Sequence, residues 1–314
     1  VRELCEKSWG NGIVLTPACA FVATANCLLA SGCNPRFIDI TLDTLNVDPD
    51  GLLRDMVRIP GSGIPTVVQT IRDRRTIGIQ FVATMGKPTP VLKIAEIADK
   101  NDLWLIGDFC EAHGATFQLK PREKFEWTSN YGGTWEYADH HCDAAIYSFY
   151  AAHMIVAGEG GMICTDDDEI AELCRSIKCH GYGSGSRFDF VRVGFNAKMN
   201  ELTAAVGLES LERFDETFAK RREIRVKLIQ ALAPFEDRLI LYRDAPGEVI
   251  APHAFPIVVR DDLDDLKSHR EVASRIAQLA VHLKNNGIET KTLFVSLPTQ
   301  HRAFAFLGHQ EGDF

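Results

Sequence analysis

Short, nearly continuous apolar runs alternate along this chain with stretches whose apolar positions recur at helical spacing. Phe21 to Leu29, closed by Ala30-Ser31-Gly32, predicts a helix ended by glycine. Pro35 to Ile40 follows as a short strand with an acid near its end, and Ile77 to Ala83 as another. Val91 to Lys100 reads as a helix with Ile94, Ile97 and Ala98 on one face. Leu103 to Asp108 reads as a buried strand that carries Asp108 at its C-terminal end. Strands Ala144 to Tyr150 and Gly161 to Thr165 come next, then a helix from Asp168 to Ile177 whose acidic N-terminus suits the helix dipole. Helices and strands in this alternation predict an α/β fold.

A second region opens with a long helix from about Asn200 to Ala233, which carries Arg221, Arg222 and Arg225 and is ended by Pro234. Shorter elements follow at Arg238 to Tyr242, Phe255 to Val259 and a helix from Ser268 to Asn285. This reads as a smaller α+β domain. Residues 118–142 are aromatic and polar without periodicity and read as a long surface loop or insertion. There is no internal repeat and no low-complexity tract.

Composition narrows the class. The 314 residues are 46% hydrophobic and 25% charged, as in ordinary globular proteins. With 34 basic and 43 acidic residues the net charge is −9, and a basic stripe for nucleic acid is absent. The one tight basic cluster, Arg72-Asp73-Arg74-Arg75, contains an acid and reads as solvated surface. No run of about 18 apolar residues predicts a membrane-spanning helix. The nine cysteines are scattered, without the close spacing of zinc or redox motifs, and there is no signal-peptide pattern. Such thiols read as the reduced cysteines of a cytoplasmic protein. The chain starts at Val1 and stops after Gly312-Asp313-Phe314, and it reads as the core of a longer protein.

Three segments could carry chemistry. Asp108-Phe109-Cys110-Glu111-Ala112-His113-Gly114-Ala115 follows a buried strand, and open α/β sheets bind ligands beyond the carboxyl ends of their strands. Ser148-Phe149-Tyr150-Ala151-Ala152-His153 leads into Gly158-Glu159-Gly160-Gly161, where glycines permit positive φ or close backbone approach. Gly194-Phe195-Asn196-Ala197-Lys198-Met199-Asn200 opens the long helix. Singly each is ordinary: Asp108 fits a turn or N-cap aspartate, and His153 a hydrogen-bonded structural histidine.

In this order, however, the three segments resemble the sugar-nucleotide aminotransferase family (DegT/StrS type) of fold-type-I pyridoxal-phosphate enzymes. Pro17-Ala18-Cys19-Ala20-Phe21 is similar to that family's proline-alanine-x-threonine-phenylalanine segment, with Ala20 in place of threonine. Asn46-Val47-Asp48-Pro49, Met85-Gly86-Lys87-Pro88, Ile288-Glu289-Thr290 and the final Gly-Asp-Phe are further matches. The resemblance implies a mixed, mostly parallel sheet sandwiched by helices. Residues 1–233 would be the large cofactor-binding domain and 234–314 the smaller C-terminal α+β domain, each incomplete. It implies that Asp108 pairs with the pyridinium nitrogen, that Phe21 and Cys110 cover the two ring faces and that Ser148 binds the phosphate. Glu111 stands where the family has glutamine, near the ring hydroxyl. Asn196 would reach the phosphate of a neighbouring subunit in a homodimer with shared sites. His180 or Arg187 would meet the nucleotide diphosphate, although a simple surface loop accounts for them equally.

His153 is the informative departure. The family normally has lysine there, bonded to the cofactor as an internal Schiff base, and an imidazole cannot form one. The change resembles a branch of the family, the pyridoxamine-phosphate-dependent 3-dehydratases of nucleotide-linked 4-keto-6-deoxyhexoses, in which a histidine moves the proton at cofactor C4′. A neutral imidazole, with its ordinary pKa of about 6.5, suits that task. One dehydratase group also carries an iron–sulfur cluster on four cysteines after the glycine-rich segment. The corresponding region here has Cys179 alone, so no cluster is expected. The resemblance thus implies a dehydratase of surface-polysaccharide deoxysugar synthesis. An aminotransferase using an amine donor such as glutamate is the alternative, and a non-catalytic or truncated relative that binds cofactor or sugar is a third.

Overall fold

The computed structural model describes residues 12–57, 76–88, 90–118, 135–185, 188–260, 269–293 and 298–309. Its centre is a six-stranded sheet of β1 (Ile13–Pro17), β2 (Asn34–Ile38), β3 (Thr76–Val82), β4 (Trp104–Asp108), β7 (Ala144–Ser148) and β8 (Gly161–Cys164). The spatial order is β2-β1-β3-β4-β7-β8. The first five strands are parallel and β8 is antiparallel to β7, which gives the expected mixed, mostly parallel sheet. All seven residues of β3 are buried, as a strand covered on both faces requires. Pro35 is tolerated because β2 is the edge strand.

Helices cover the sheet. Helix α1 (Val22–Ala30) ends where Gly32 takes φ 80°, the left-handed residue that closes many helices. Leu28 of α1 meets Val14, Cys33 and Ile77 in one buried cluster. Helix α3 (Val91–Lys100) buries Val91, Ile94, Ala95, Ile97 and Ala98, which include the three positions read from its periodicity. These join Phe81, Leu105 and Phe109 in the main core. Helix α4 (Asp168–Ile177) is capped by Asp167, whose side chain accepts the Ile170 N–H at 2.9 Å. Asp167→Ala is expected to lower stability by about 1 kcal/mol in urea unfolding, because one N-terminal donor loses its partner.

The structure corrects several expectations. Helix α2 (Pro49–Val57) was not foreseen, although Asp48 and Pro49 give it a cap and an ordinary first turn: Asp48 Oδ1 accepts the Asp50 N–H at 3.0 Å. Of the stretch 118–142, residues 119–134 lie outside the described residues, and its described ends are not simply a loop. β5 (Thr116–Gln118) pairs with β6 (Trp135–Tyr137) and with β10 (Glu248–Val249) in a small antiparallel sheet, and a 3-10 turn follows at Ala138–His141. The single helix expected from Asn200 to Ala233 is two, α5 (Glu201–Glu212) and α6 (Phe214–Leu232), because Arg213 leaves helical geometry at φ −97°, ψ 6°. Phe214 then starts α6 with its ring against Gly114 and 5.6 Å from that of Phe218. Asn200 caps α5 by accepting the Thr203 N–H at 2.9 Å. Last come the antiparallel pair β9 (Leu239–Leu241) and β11 (Ile257–Val259) and helix α7 (His269–Asn285).

The arginine row of α6 ties the segment after Leu232 to the rest. Arg222 donates to Asp244 at 3.0 Å and to the Ile250 carbonyl, and buried Arg225 to the Tyr242 carbonyl. Tyr242 in turn donates to the Thr84 carbonyl at 2.6 Å, beside the end of β3. Among the described residues no helix is long and apolar enough to cross a membrane.

Candidate active site

Parallel strands deliver their carboxyl ends to one edge of the sheet, and the residues that follow them meet there. Asp108 is the last residue of β4, between Val82 of β3 and Ile146 of β7. Its Oδ1 accepts the Cys110 N–H at 3.1 Å, and its Oδ2 faces the Thr24 hydroxyl of α1 at 3.4 Å. Phe21 stands at the N-cap of the same helix and is 61% exposed, with its ring free to meet a ligand. Cys110 is half-buried, and burial with Asp108 alongside pushes its thiol well above the ordinary range.

Ser148 ends β7, and its hydroxyl accepts the Tyr150 N–H at 3.2 Å. The loop beyond it is held from within: Phe149 N–H donates to the Gly160 carbonyl, Ala157 N–H to the Phe149 carbonyl and His153 N–H to the Tyr150 carbonyl. Gly158 (φ 84°) and Gly160 (φ 142°) supply the positive φ expected of this segment. These bonds set the His153 ring 5.1 Å from that of His253, 6.1 Å from Tyr150 and 6.2 Å from His113. Burial lowers the His153 pKa below the ordinary histidine value, while Asp108 works in the opposite direction. The imidazole is therefore neutral and basic at neutral pH.

Glu111 lies under this group. Its Oε2 accepts the Met85 N–H at 2.6 Å, and its Oε1 is 3.6 Å from His253 Nε2. Burial holds its pKa up at about 7, the Met85 bond opposing and Asp108 adding. Two of the minor sequence matches also meet here. Asn46 accepts the Thr84 N–H at 2.8 Å and donates to the Lys87 carbonyl, fixing the Met85-Gly86 turn. Gly86 is required: at φ 79°, a Cβ would lie 1.6 Å from the Ala251 carbonyl oxygen.

The remaining candidates lie elsewhere. Asn196 Oδ1 accepts from Lys198 Nζ at 2.5 Å, and Lys198 Nζ is 3.3 Å from His180 Nε2, so these three form an exposed cluster after α4. Arg187 lies outside the described residues, as does Gly312-Asp313-Phe314. A cavity of about 1030 Å³ runs along β8 and Lys198 to Asn200 and is lined by none of Asp108, Ser148 and His153.

Sequence reasoning missed His253 and Thr24 and assigned no role to His113. His113 stands inside the Asp108 motif, two residues after Glu111, and its position was a usable signal. Nothing around His253 marks it in the sequence. Among the described residues, Nδ1 of His153 and of His253 is buried without a hydrogen-bond partner, and His113, also buried, has only the Ser148 backbone to offset its burial. Burial first, then His153, lowers both His113 and His253 to about 4. Both are neutral when folded and bind a proton near pH 6.5 when unfolded. Their contribution is therefore complete above pH 6.5 and is lost as pH falls toward 4. Glu111 has the opposite sign, protonated when folded and ionised when unfolded between pH 4.5 and 7. His113→Leu is expected to flatten the acid loss of stability, read as urea midpoints between pH 6.5 and 4.

The arrangement fits a flat, cationic heteroaromatic ring bearing a phosphate. A carboxylate stands at a strand end, an exposed aromatic caps the helix whose Thr24 faces that carboxylate, a serine ends the adjacent strand, and buried imidazole nitrogens lie nearby. The sequence model of the DegT/DnrJ/EryC1/StrS aminotransferase family matches residues 7–314. GDP-perosamine synthase of Caulobacter vibrioides is 30% identical over 226 residues, covering 72% of this chain and 52% of that protein. The dTDP-4-dehydro-2,6-dideoxy-D-glucose 3-dehydratase of Saccharopolyspora spinosa is 26% identical, covering 96% of this chain and 61% of that protein. The chain thus spans 52% and 61% of the lengths of these two relatives. The crystal structure of S. venezuelae DesV in complex with a ketimine intermediate shares the fold, with TM-score 0.74 or better for it and a Brucella abortus relative. For DesV the TM-score is 0.77 at 21% identity, aligning 99% of this chain with 71% of that one.

Proposed function

Because the chain belongs to the DegT/DnrJ/EryC1/StrS aminotransferase family, we propose that it is a pyridoxamine-phosphate-dependent 3-dehydratase of a nucleotide-linked 4-keto-6-deoxyhexose. What supports this reading is His153, a base kept neutral by burial and within electrostatic reach of Asp108, at the point of the chain where the resemblance puts the family's lysine. The cofactor, pyridoxal 5′-phosphate or its amine form, supplies an electron sink for bond changes in the sugar. Asp108 holds the ring nitrogen protonated, and Ser148 holds the phosphate. Phe21 and Cys110 cover the ring faces, and Glu111 lies toward its hydroxyl. His153 takes a proton at C4′ and returns one, since no lysine in the described site can do so. His180 and Arg187 are assigned to the nucleotide diphosphate, and Asn196 to the phosphate of the partner subunit in a cytoplasmic homodimer. The boundary between large and small domains is placed at residues 233 and 234. The 3-dehydratase among the relatives supports this reading. The family name and the GDP-perosamine synthase support the alternative, transamination to an amino sugar.

One experiment separates the two. The full-length protein is mixed with pyridoxamine phosphate and the keto sugar, and products are followed by mass spectrometry. A product lacking the C3 oxygen is expected. A stable 4-amino sugar formed with glutamate as donor would establish the aminotransferase instead.

A further inference from the structure

A base that accepts a proton in a buried site needs somewhere to send it. Among the described residues no carboxylate is bonded to the His153 ring, and its Nδ1 is buried without a partner. Among the described residues His253 is the nearest ring to it, at 5.1 Å with the planes inclined by 37°. On its other side, His253 Nε2 is 3.6 Å from Glu111 Oε1, and the two side chains are 13% and 11% exposed. Glu111 is thereby separated from His153 by a single imidazole. The backbone holds this imidazole firmly: Arg221 donates to the carbonyls of Pro252 and His253, and Ala251 N–H donates to Gly86.

We propose that His253 and Glu111 form a proton relay for His153. The inference rests on the reading of His153 as the base. Before the step, both imidazoles are neutral, His253 carries its proton on Nε2, and Glu111 is a carboxylate. His153 gains a proton and becomes imidazolium. It then gives one ring proton to Nδ1 of His253, which releases its Nε2 proton to Glu111 Oε1. Both imidazoles end neutral, Glu111 ends as the acid, and no electrons move. The reverse sequence restores a proton to His153. Separations of this kind shorten when a ligand closes the site.

The surroundings suit the relay. Asp108, the Cys19 and Cys110 thiols and the Tyr242 hydroxyl face Glu111, and His113 and Arg221 face His253 along with His153. Glu111, near 7, is poised between its two states, whereas His253, near 4, passes a proton on and does not keep it.

The test is side-chain NMR on the full chain, with histidine ring nitrogens and glutamate carboxyl carbons labelled, first alone and then with pyridoxamine phosphate. In the unmodified protein, a step near pH 7 is expected on the Glu111 carboxyl and, at the same pH, on both His253 and His153. Glu111→Gln should remove it from both rings. His253→Gln should keep it on Glu111 and remove it from His153. Titration of His153 that agrees within about one pH unit across all three proteins overturns the relay, because interacting sites shift one another by about that much or more. If Glu111→Gln does not fold, the His253→Gln comparison decides alone. A 3-deoxy sugar made without the coupled step sinks the relay; a coupled step without that product sinks the reading of the reaction and leaves the relay standing.

Discussion

His153→Asn is expected to lower the turnover of the keto sugar by about 10²–10⁴-fold, the usual worth of a positioned acid–base group. Asparagine is a similar polar shape but has no basic lone pair at neutral pH. The backbone bond from His153 N–H to Tyr150 does not depend on the side chain, so the loop should stay in place. Cofactor binding, measured by absorbance titration, is therefore expected to change little, and the loss should appear in kcat. Burial already lowers the His153 pKa, with Asp108 opposing. Loss of the His153 base itself is accordingly expected below pH 6.5, as pH falls through the lowered value, whereas a relay that ends on Glu111 places an acid limb higher, near pH 7. Unchanged turnover in His153→Asn would remove His153 from the chemistry. The companion variant, His153→Lys, restores an amine at the same point of the loop. With pyridoxal phosphate it is expected to give the visible absorbance band of a covalently held cofactor. If no band forms, the cofactor does not lie against His153.

The parts of this site that were legible in the sequence are those carried by local pattern. Asp108 follows a buried apolar run, so the strand and its polar terminus can be read together. Ser148 and His153 flank a short loop after another such run. Glu111 was legible as a departure from a family motif, but its partners were not. Met85 N–H reaches Glu111 only because the end of β3 folds over the turn after β4, and His253 only because Ala251 bonds to Gly86. Contacts of that span leave no period in the sequence. The two fold-level misreadings have similar causes. Helical spacing continues through Arg213, so a break that turns Phe214 and Phe218 onto Gly114 was invisible to periodicity. Strands of three residues, such as β5 and β6, are too short to show alternation, and the pairing of β5 with β10 is long-range.

Phe109→Ala is expected to reduce stability by about 3–5 kcal/mol, the range for emptying a buried aromatic site. Phe109 is 1% exposed. Its ring meets Phe81 edge-on at 5.6 Å and stacks on Tyr147 at 5.9 Å, and both contacts are lost with the ring. Collapse to fill the void is hindered from three sides. Phe81 lies on fully buried β3, Tyr147 is fixed by the pairing of β7 with β8, and Gly107, against which the ring is seated, offers no side chain to move in. The consequence reaches the site because Phe109 stands between Asp108 and Cys110. Its burial anchors the turn in which Cys110 N–H bonds Asp108 and from which Glu111 reaches Met85. Phe109→Leu keeps much of the apolar volume and is expected to lose less stability. Urea unfolding gives the stability of both variants, and absorbance titration with the cofactor gives the integrity of the turn. If the turn depends on this anchor, cofactor affinity should fall in the order wild type, leucine, alanine, at temperatures where all three remain folded. Equal affinity across the series would mean that the strand end alone, and not the ring beneath it, fixes Asp108.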